Sequence, residues 1–190
     1  MNDENSYALS DIRRFEMMRN AARTRRCHTQ MVLHQQTIGE HTFSALAILD
    51  LVAPDCSKNV WRALLYHDMP EAQTGDVPAP AKWENPKLEN ALKMVEARIF
   101  RELGLSFDLT IEEKRVVKYV DLMDLIWFTI EEVEMGNQRI VNMARRALSA
   151  VKDRELIDLS ERTKKFYEYT ATYLEQVGWN GWLSIKREER

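Results

Sequence analysis

The chain has 190 residues, 45% of them hydrophobic and 30% charged, with a formal net charge of -3. That length builds one domain with a sizeable core, and the small negative balance argues against a nucleic-acid polymer as partner. Two cysteines, Cys27 and Cys56, in no metal-like or redox-like spacing, exclude a disulfide scaffold and point to a reducing compartment. Apolar runs are too short to span a bilayer, and Met1 to Ser10 is too polar for a signal peptide. A cytoplasmic location without membrane contact is expected.

Glycine and proline are scarce, at six and five residues, and apolar residues recur at helical spacing almost throughout. Helices are expected at about 8–23, 40–53, 58–68, 86–103, 110–135, 138–151 and 153–177. Ser10 and Asp11 suit the start of the first. Arg13, Arg14, Arg19, Arg23, Arg25 and Arg26 gather along and just after it, as either a solvated helix face or a phosphate-binding edge. Pro86 fits the first turn of the fourth helix, and Gly104 its end. Thr110 with Glu113 has capping-box spacing for the fifth, which Gly136-Asn137 closes. Thr24 to Gly39 and Met69 to Asn85 resist the helical pattern, and long loops in a compact helical domain tend to carry function.

Both loops abut the most informative residues. His67-Asp68 ends the apolar run Val60-Trp61-Arg62-Ala63-Leu64-Leu65-Tyr66 and precedes Glu71 and the turn Thr74-Gly75-Asp76. His41 lies in the first turn of a helix apolar on most sides, and Asp121 beside the stripe Val116, Val120, Met123, Trp127 and Ile130. Imidazoles and carboxylates on separate buried helices are costly without partners, and one divalent cation would serve all four. Taken singly, His41 could be a hydrogen-bonded core histidine and Asp121 a salt-bridge partner, and Asp124 is better read as the latter. The mixed donors suit Mn, Co, Zn, Ni, Fe or Mg, with positions left open for water and substrate. Glu71, at i+3 from Asp68, is the candidate general acid or base, and Asp76 a second.

Glu40-His41 and the block Tyr66-His67-Asp68-Met69-Pro70-Glu71-Ala72-Gln73-Thr74-Gly75-Asp76-Val77-Pro78-Ala79-Pro80-Ala81-Lys82 resemble the HD-domain metal-dependent phosphohydrolases. Within that group the block looks like the bacterial 5'-deoxynucleotidases; the small phage dATP triphosphohydrolases are also similar and fit the length. The resemblance runs over about 26–136 and implies an all-α, single-domain helical bundle across 1–190, with the helices of 138–177 packed on the motif core. It implies His41, His67, Asp68 and Asp121 as metal ligands, Glu71 as the catalytic acidic residue and Asp76 near the attacking water. Arg26 would contact substrate phosphate and Lys82 bind phosphate. Members often form dimers or rings, so a homo-oligomer is expected. Cys27-His28 departs from the pattern: the bacterial enzymes carry a tryptophan at the first of these positions, near the sugar and base, which leaves base and sugar choice open.

The chemistry implied is attack of water on the α-phosphorus of a 2'-deoxynucleotide, releasing deoxynucleoside. Arg23, Arg25 and Arg26, with His28 and Lys82 nearby, offer more cationic groups than one phosphate requires, which favours a triphosphate over the alternative monophosphate. Trp83, next to Lys82, would wall the base pocket, whereas Trp61, Trp127, Trp179 and Trp182 are core or interface residues by default. Two other classes compete: a metal-dependent nucleotide sensor without turnover, against which Glu71 and Asp76 argue, and a purely structural helical protein, which would ignore chelator.

Overall fold

The computed structural model describes the backbone of residues 4–187 and the side chains of residues 9–178; Trp179 and Trp182 lie outside the described side chains. Helix follows helix: α1 (Glu4–Ala21), α2 (Ile38–Val52), α3 (Lys58–Tyr66), α4 (Glu71–Thr74), α5 (Ala79–Glu84), α6 (Pro86–Glu102), α7 (Ile111–Glu134), α8 (Val141–Asp153) and α9 (Glu161–Arg187), with short 3-10 turns at Gln138–Ile140 and Ile157–Leu159. The class is all-α, as the periodicity requires.

Local chemistry sets the boundaries. Thr37 and Glu40 form a reciprocal capping box at the start of α2, and Thr110 and Glu113 do so for α7. Ser57 caps α3, and Asn85 caps α6 ahead of Pro86. Where α6 and α7 stop, Gly104 and Gly136 adopt left-handed φ values of 61° and 103°. The residue after each glycine then bonds back five positions, Leu105 to the Phe100 carbonyl and Asn137 to that of Glu132. Gly39 permits a close approach: a Cβ there would lie 3.1 Å from both Ala22 Cβ and the Ala22 carbonyl oxygen. The end of α1 can thus sit against the start of α2.

α7 is the central helix, packed by α2, α3, α8 and α9. Leu49, Leu64, Tyr119, Val120, Met123, Ile126 and Ile130 are fully buried in the main core around it, and the Tyr119 hydroxyl donates to the Thr163 carbonyl at 2.6 Å. A second cluster (Ala21, Ile38, Met69, Ile99, Leu103 and Leu105) draws α1 and α6 together over the loop that follows α3.

Three expectations need correcting. The helix expected at 153–177 starts later: α8 runs on to Asp153, Glu155 takes a left-handed φ of 53°, and α9 starts at Glu161. Glu155 and Leu156 bond back to the Lys152 and Val151 carbonyls, the same closure the glycines make. Burial of Leu156 offsets the roughly 1 kcal/mol that a left-handed side-chain residue costs. Secondly, the loop after α3 is not structureless, since α4 and α5 form inside it. Thirdly, α2 is buried on most sides as its apolar sequence predicts, but one apolar stripe stays exposed: Phe43, Ala47 and Leu51 at i, i+4 and i+8, Phe43 being 76% exposed.

Candidate active site

Three helix segments converge on one polar cluster. The α2 capping box fixes the direction of the first turn, which sends His41 into the interior, where it is fully buried. At the end of α3, His67 keeps helical φ and ψ as the cap residue, with Asp68 next in line. Asp121 and Asp124, three apart on α7, share one face of that helix.

The two imidazoles meet through their Nε2 atoms, 3.0 Å apart. His41 Nε2 lies 3.5 Å from both Asp68 Oδ2 and Asp121 Oδ1. His67 Nε2 lies 3.3 Å from Asp68 Oδ2 and 3.9 Å from Asp121 Oδ1. The opposite ring nitrogens are committed: His41 Nδ1 donates to Asp124 Oδ2 at 2.5 Å, and His67 Nδ1 to the Leu64 carbonyl at 2.6 Å. A carboxylate and a carbonyl only accept, so both Nε2 lone pairs are directed at each other unless a positive charge lies between them. Two donors each about 2.1 Å from one ion lie roughly 3.0–3.5 Å apart, and His41, His67 and Asp68 can together hold such an ion. Asp121 Oδ1 faces the same space.

Electrostatics agree with this reading. Burial disfavours an imidazolium at His67, yet Asp68 and Asp121 raise its pKa to about 9, so the space attracts a cation. Burial and the Arg26 charge push His41 the other way, toward the neutral form that ligates metals. Burial opposes ionisation of Asp68, but His67, His41 and Arg26 hold its carboxyl well below the usual carboxylate range. Burial is likewise outweighed at Asp121 by Lys118, His67 and His41; Lys118 Nζ donates to Asp121 Oδ2 at 2.7 Å. The side chains of His67, Asp68 and Asp121 retain 18%, 18% and 19% exposure, so the cluster is open on one side.

Arg26 is the cation from the N-terminal group that reaches this cluster. Its guanidinium is 3.9 Å from Asp68, 3.8 Å from Asp121 and 3.5 Å from Asp124. Arg25 pairs with Thr37 in an isolated antiparallel bridge. Neighbouring side chains in extended chain point to opposite sides, so Arg26 turns inward while Arg25, like Arg23, is exposed. His28 and Trp83 are exposed as well. Cys27 takes a left-handed φ of 54° and packs against the apolar cluster of Phe128, Val133 and Ile140, where burial lifts its thiol to about 11. Of the substrate contacts expected from sequence, the structure brings Arg26 onto the cluster and Lys82 within electrostatic reach of Glu71.

Glu71 opens α4 with Oε2 buried and unbonded. Burial, then the charges of Asp68 and Asp76, raise its carboxyl to about 9, with Arg26 and Lys82 pulling in the opposite direction. Asp76 accepts the Cys27 backbone N–H at 2.8 Å, which ties the two long loops together. Lys82 is half-buried on α5.

Four further residues bear on the site. Asp124 pairs with Arg26 as expected but also fixes the His41 ring, and its i+3 spacing from Asp121 was the available signal. Gln36 bridges Arg26 and Asp124. Glu132, fully buried, accepts the Leu33 and His34 backbone N–H groups at 2.7 and 2.6 Å. Glu96 on α6 is half-buried; burial raises its carboxyl and Lys82 lowers it. Nothing in spacing marks the last three.

Comparison with known proteins gives the family and the fold. Residues 13–170 match the family model described as 5'-deoxynucleotidase YfbR-like. A 5'-deoxynucleotidase of Yersinia pestis is 27% identical over 162 residues, covering 73% of this chain and 76% of that protein. One from Pasteurella multocida is 36% identical over 89 residues, covering 39% of this chain. The aligned parts span 58% and 46% of the Vibrio vulnificus and Pasteurella relatives. Among solved structures, the HD phosphohydrolase DatZ of cyanophage S-2L, bound to dA and one catalytic Zn2+ ion, superposes with a TM-score of 0.63 at 18% identity, covering 85% of this chain and 95% of that one. An HD-domain phosphohydrolase from Listeria innocua gives 0.58 at 18% identity, covering 85% and 96%. At that identity these structures establish the fold, an HD-type helical domain. The chain belongs to the YfbR-like 5'-deoxynucleotidase family.

Proposed function

We propose that the protein is a metal-dependent 5'-deoxynucleotidase that converts 2'-deoxynucleoside 5'-monophosphates to deoxynucleoside and phosphate. The observation that carries this reading is the pair of facing Nε2 atoms at 3.0 Å, ringed by Asp68 and Asp121, with one guanidinium, Arg26, turned toward them. One inward arginine suits one phosphate. A triphosphate would draw on Arg23, Arg25 and His28 as well, and all three are exposed. The relatives described as 5'-deoxynucleotidases support the monophosphate.

His41, His67, Asp68 and Asp121 would hold the ion, and zinc, present in the cyanophage neighbour, is the first to try. A divalent ion bound there supplies Lewis-acid polarisation of the phosphoryl group and of the attacking water. Arg26 binds and orients the phosphate through a planar fork of donors. Lys82 adds positive charge on the Glu71 side. Asp76 accepts the proton from the attacking water as the new P–O bond forms. Glu71, whose carboxyl is raised to about 9 in the metal-free fold chiefly by burial, gives its proton to the departing 5'-oxygen as the old P–O bond breaks. Trp83 and His28, exposed near these loops, are left to contact base or sugar only if the loops close on substrate, and Cys27 holds the first loop through its backbone bond to Asp76.

The free thiols Cys27 and Cys56 support a cytoplasmic setting. The exposed Phe43, Ala47 and Leu51 face of α2 is suited to a second copy of the chain, which sedimentation would test. The enzymatic reading is tested by stripping the protein with chelator, reloading zinc or manganese, and following phosphate release from the four dNMPs. Release that needs the ion supports it; metal-independent stability with no release from any nucleotide would favour a structural protein.

A further inference from the structure

Gln36 is a buried polar side chain, 5% exposed, that the reaction just described does not use. Its backbone carbonyl accepts the Arg26 N–H at 2.9 Å. Its side-chain amide spans two charged groups: Oε1 accepts from Arg26 Nη1 at 3.2 Å, and Nε2 donates to Asp124 Oδ2 at 3.1 Å. That Asp124 oxygen also takes the His41 Nδ1 proton at 2.5 Å. The amide thus closes a triangle with the looser direct contact of Arg26 Nη1 to the same Asp124 oxygen at 3.5 Å, and ties the arginine to the histidine. The opposite amide orientation would set donor against donor and acceptor against acceptor, so the neighbours dictate which end is which.

The link matters because Arg26 has an alternative. Its Nε and Nη2 lie 3.9 and 3.8 Å from Asp68 Oδ2 and Asp121 Oδ1, the same oxygens that face the imidazole pair. A small swing would close these into direct salt bridges. The guanidinium would then neutralise two carboxylates that a divalent ion needs, and would no longer be free for phosphate. We propose that Gln36 is a positioning residue that holds Arg26 off the Asp68–Asp121 pair and keeps Asp124 on His41 Nδ1, so that metal affinity and phosphate affinity depend on one buried amide. The phosphate half of this rests on the 5'-deoxynucleotidase reading; the metal half does not.

The test uses the full chain with Gln36→Leu and Gln36→Glu. Zinc affinity of the stripped protein is read by competition with a chromophoric chelator, and kcat and KM for dNMP at saturating zinc. Gln36→Leu should weaken zinc binding about tenfold, the lower end of what lost support behind a metal ligand costs. It should raise KM about tenfold while kcat stays within about threefold, as expected when ground-state phosphate binding is lost. Gln36→Glu keeps the acceptor for Arg26 but sets a second carboxylate against Asp124, so it should weaken zinc binding with KM near wild type. Zinc affinity and KM both unchanged in Gln36→Leu, with only thermal stability lowered, would reduce Gln36 to a packing residue and overturn the proposal. If Gln36→Leu does not fold, unchanged zinc affinity in the isosteric Gln36→Glu overturns it equally. A wild-type protein that hydrolyses no nucleotide would sink the functional reading, and the zinc titrations would still decide the role of Gln36.

Discussion

The two long loops that flank α2 and α3 supply different parts of the site and are built differently. The segment before α2 is anchored by polar side chains, of which Glu132 and Gln36 are buried. Glu132 takes the Leu33 and His34 N–H groups, Asn137 Nδ2 donates to the Met31 carbonyl at 2.8 Å, and Gln36 grips Arg26. The segment after α3 is held by its own short turns, with Glu71 N–H to the Asp68 carbonyl and Gly75 N–H to that of Glu71, and by the buried Met69. Its carboxyl groups are sparsely bonded, and Glu71 Oε2 has no partner. The first loop fixes a charge that must stay put. The second leaves Glu71, the proposed proton donor, under-solvated, which is what allows its pKa to move.

The contrast can be broken most severely where the loops meet the cluster. His67→Ala should abolish divalent-ion binding and lower turnover on the order of a thousandfold, the scale of several kcal/mol of lost transition-state stabilisation; metal content and kcat check it. On the second loop, Glu71→Gln should cut kcat by about a hundredfold or more while metal content stays intact. Loss of metal in that variant would make Glu71 a ligand instead of a proton donor. On the first loop, Glu132→Ala should destabilise the fold by about 2 kcal/mol, because it removes the shared acceptor of two part-buried backbone N–H groups. Denaturant unfolding measures this, and a change under 1 kcal/mol would refute the anchoring role assigned to Glu132.

A pH series sharpens the same contrast. The Glu71 carboxyl titrates at about 9, above its ordinary 4.5, so the folded state binds the proton more tightly than the unfolded chain. Stability from this group is fully present below about 4.5 and is lost as pH rises toward about 9. Glu71→Gln should therefore flatten the decline in thermal stability of metal-free protein across that window; an unchanged slope would mean the carboxyl is already ionised. The smallest effect belongs to Arg25→Ala, which should change kcat/KM for dNMP or dNTP by less than about twofold, as for an exposed charge.

Much of this arrangement was legible in the sequence. His41, His67, Asp68 and Asp121 stood out because polar residues interrupt apolar helical stripes, and the extended block from Tyr66 to Lys82 carried the family resemblance. What failed had physical reasons. The Arg23 to Arg26 run looked like one cationic edge, but the Arg25–Thr37 bridge makes the chain extended there, so adjacent side chains part company. The helix boundary expected at 151–153 falls later, over 154–160, because Glu155, without the usual glycine, takes the left-handed turn. Gln36 and Glu132 act through partners about ninety to a hundred residues away, at separations of 88, 98 and 99 positions, and no local pattern reveals such pairs.

The most direct measurement is product analysis of the zinc- or manganese-loaded protein incubated separately with each dNMP and each dNTP. Deoxynucleoside and orthophosphate from dNMP, abolished by chelator and restored by the ion, is the expected result. Deoxynucleoside and tripolyphosphate from dNTP, with dNMP untouched, would contradict the single-phosphate site built around Arg26.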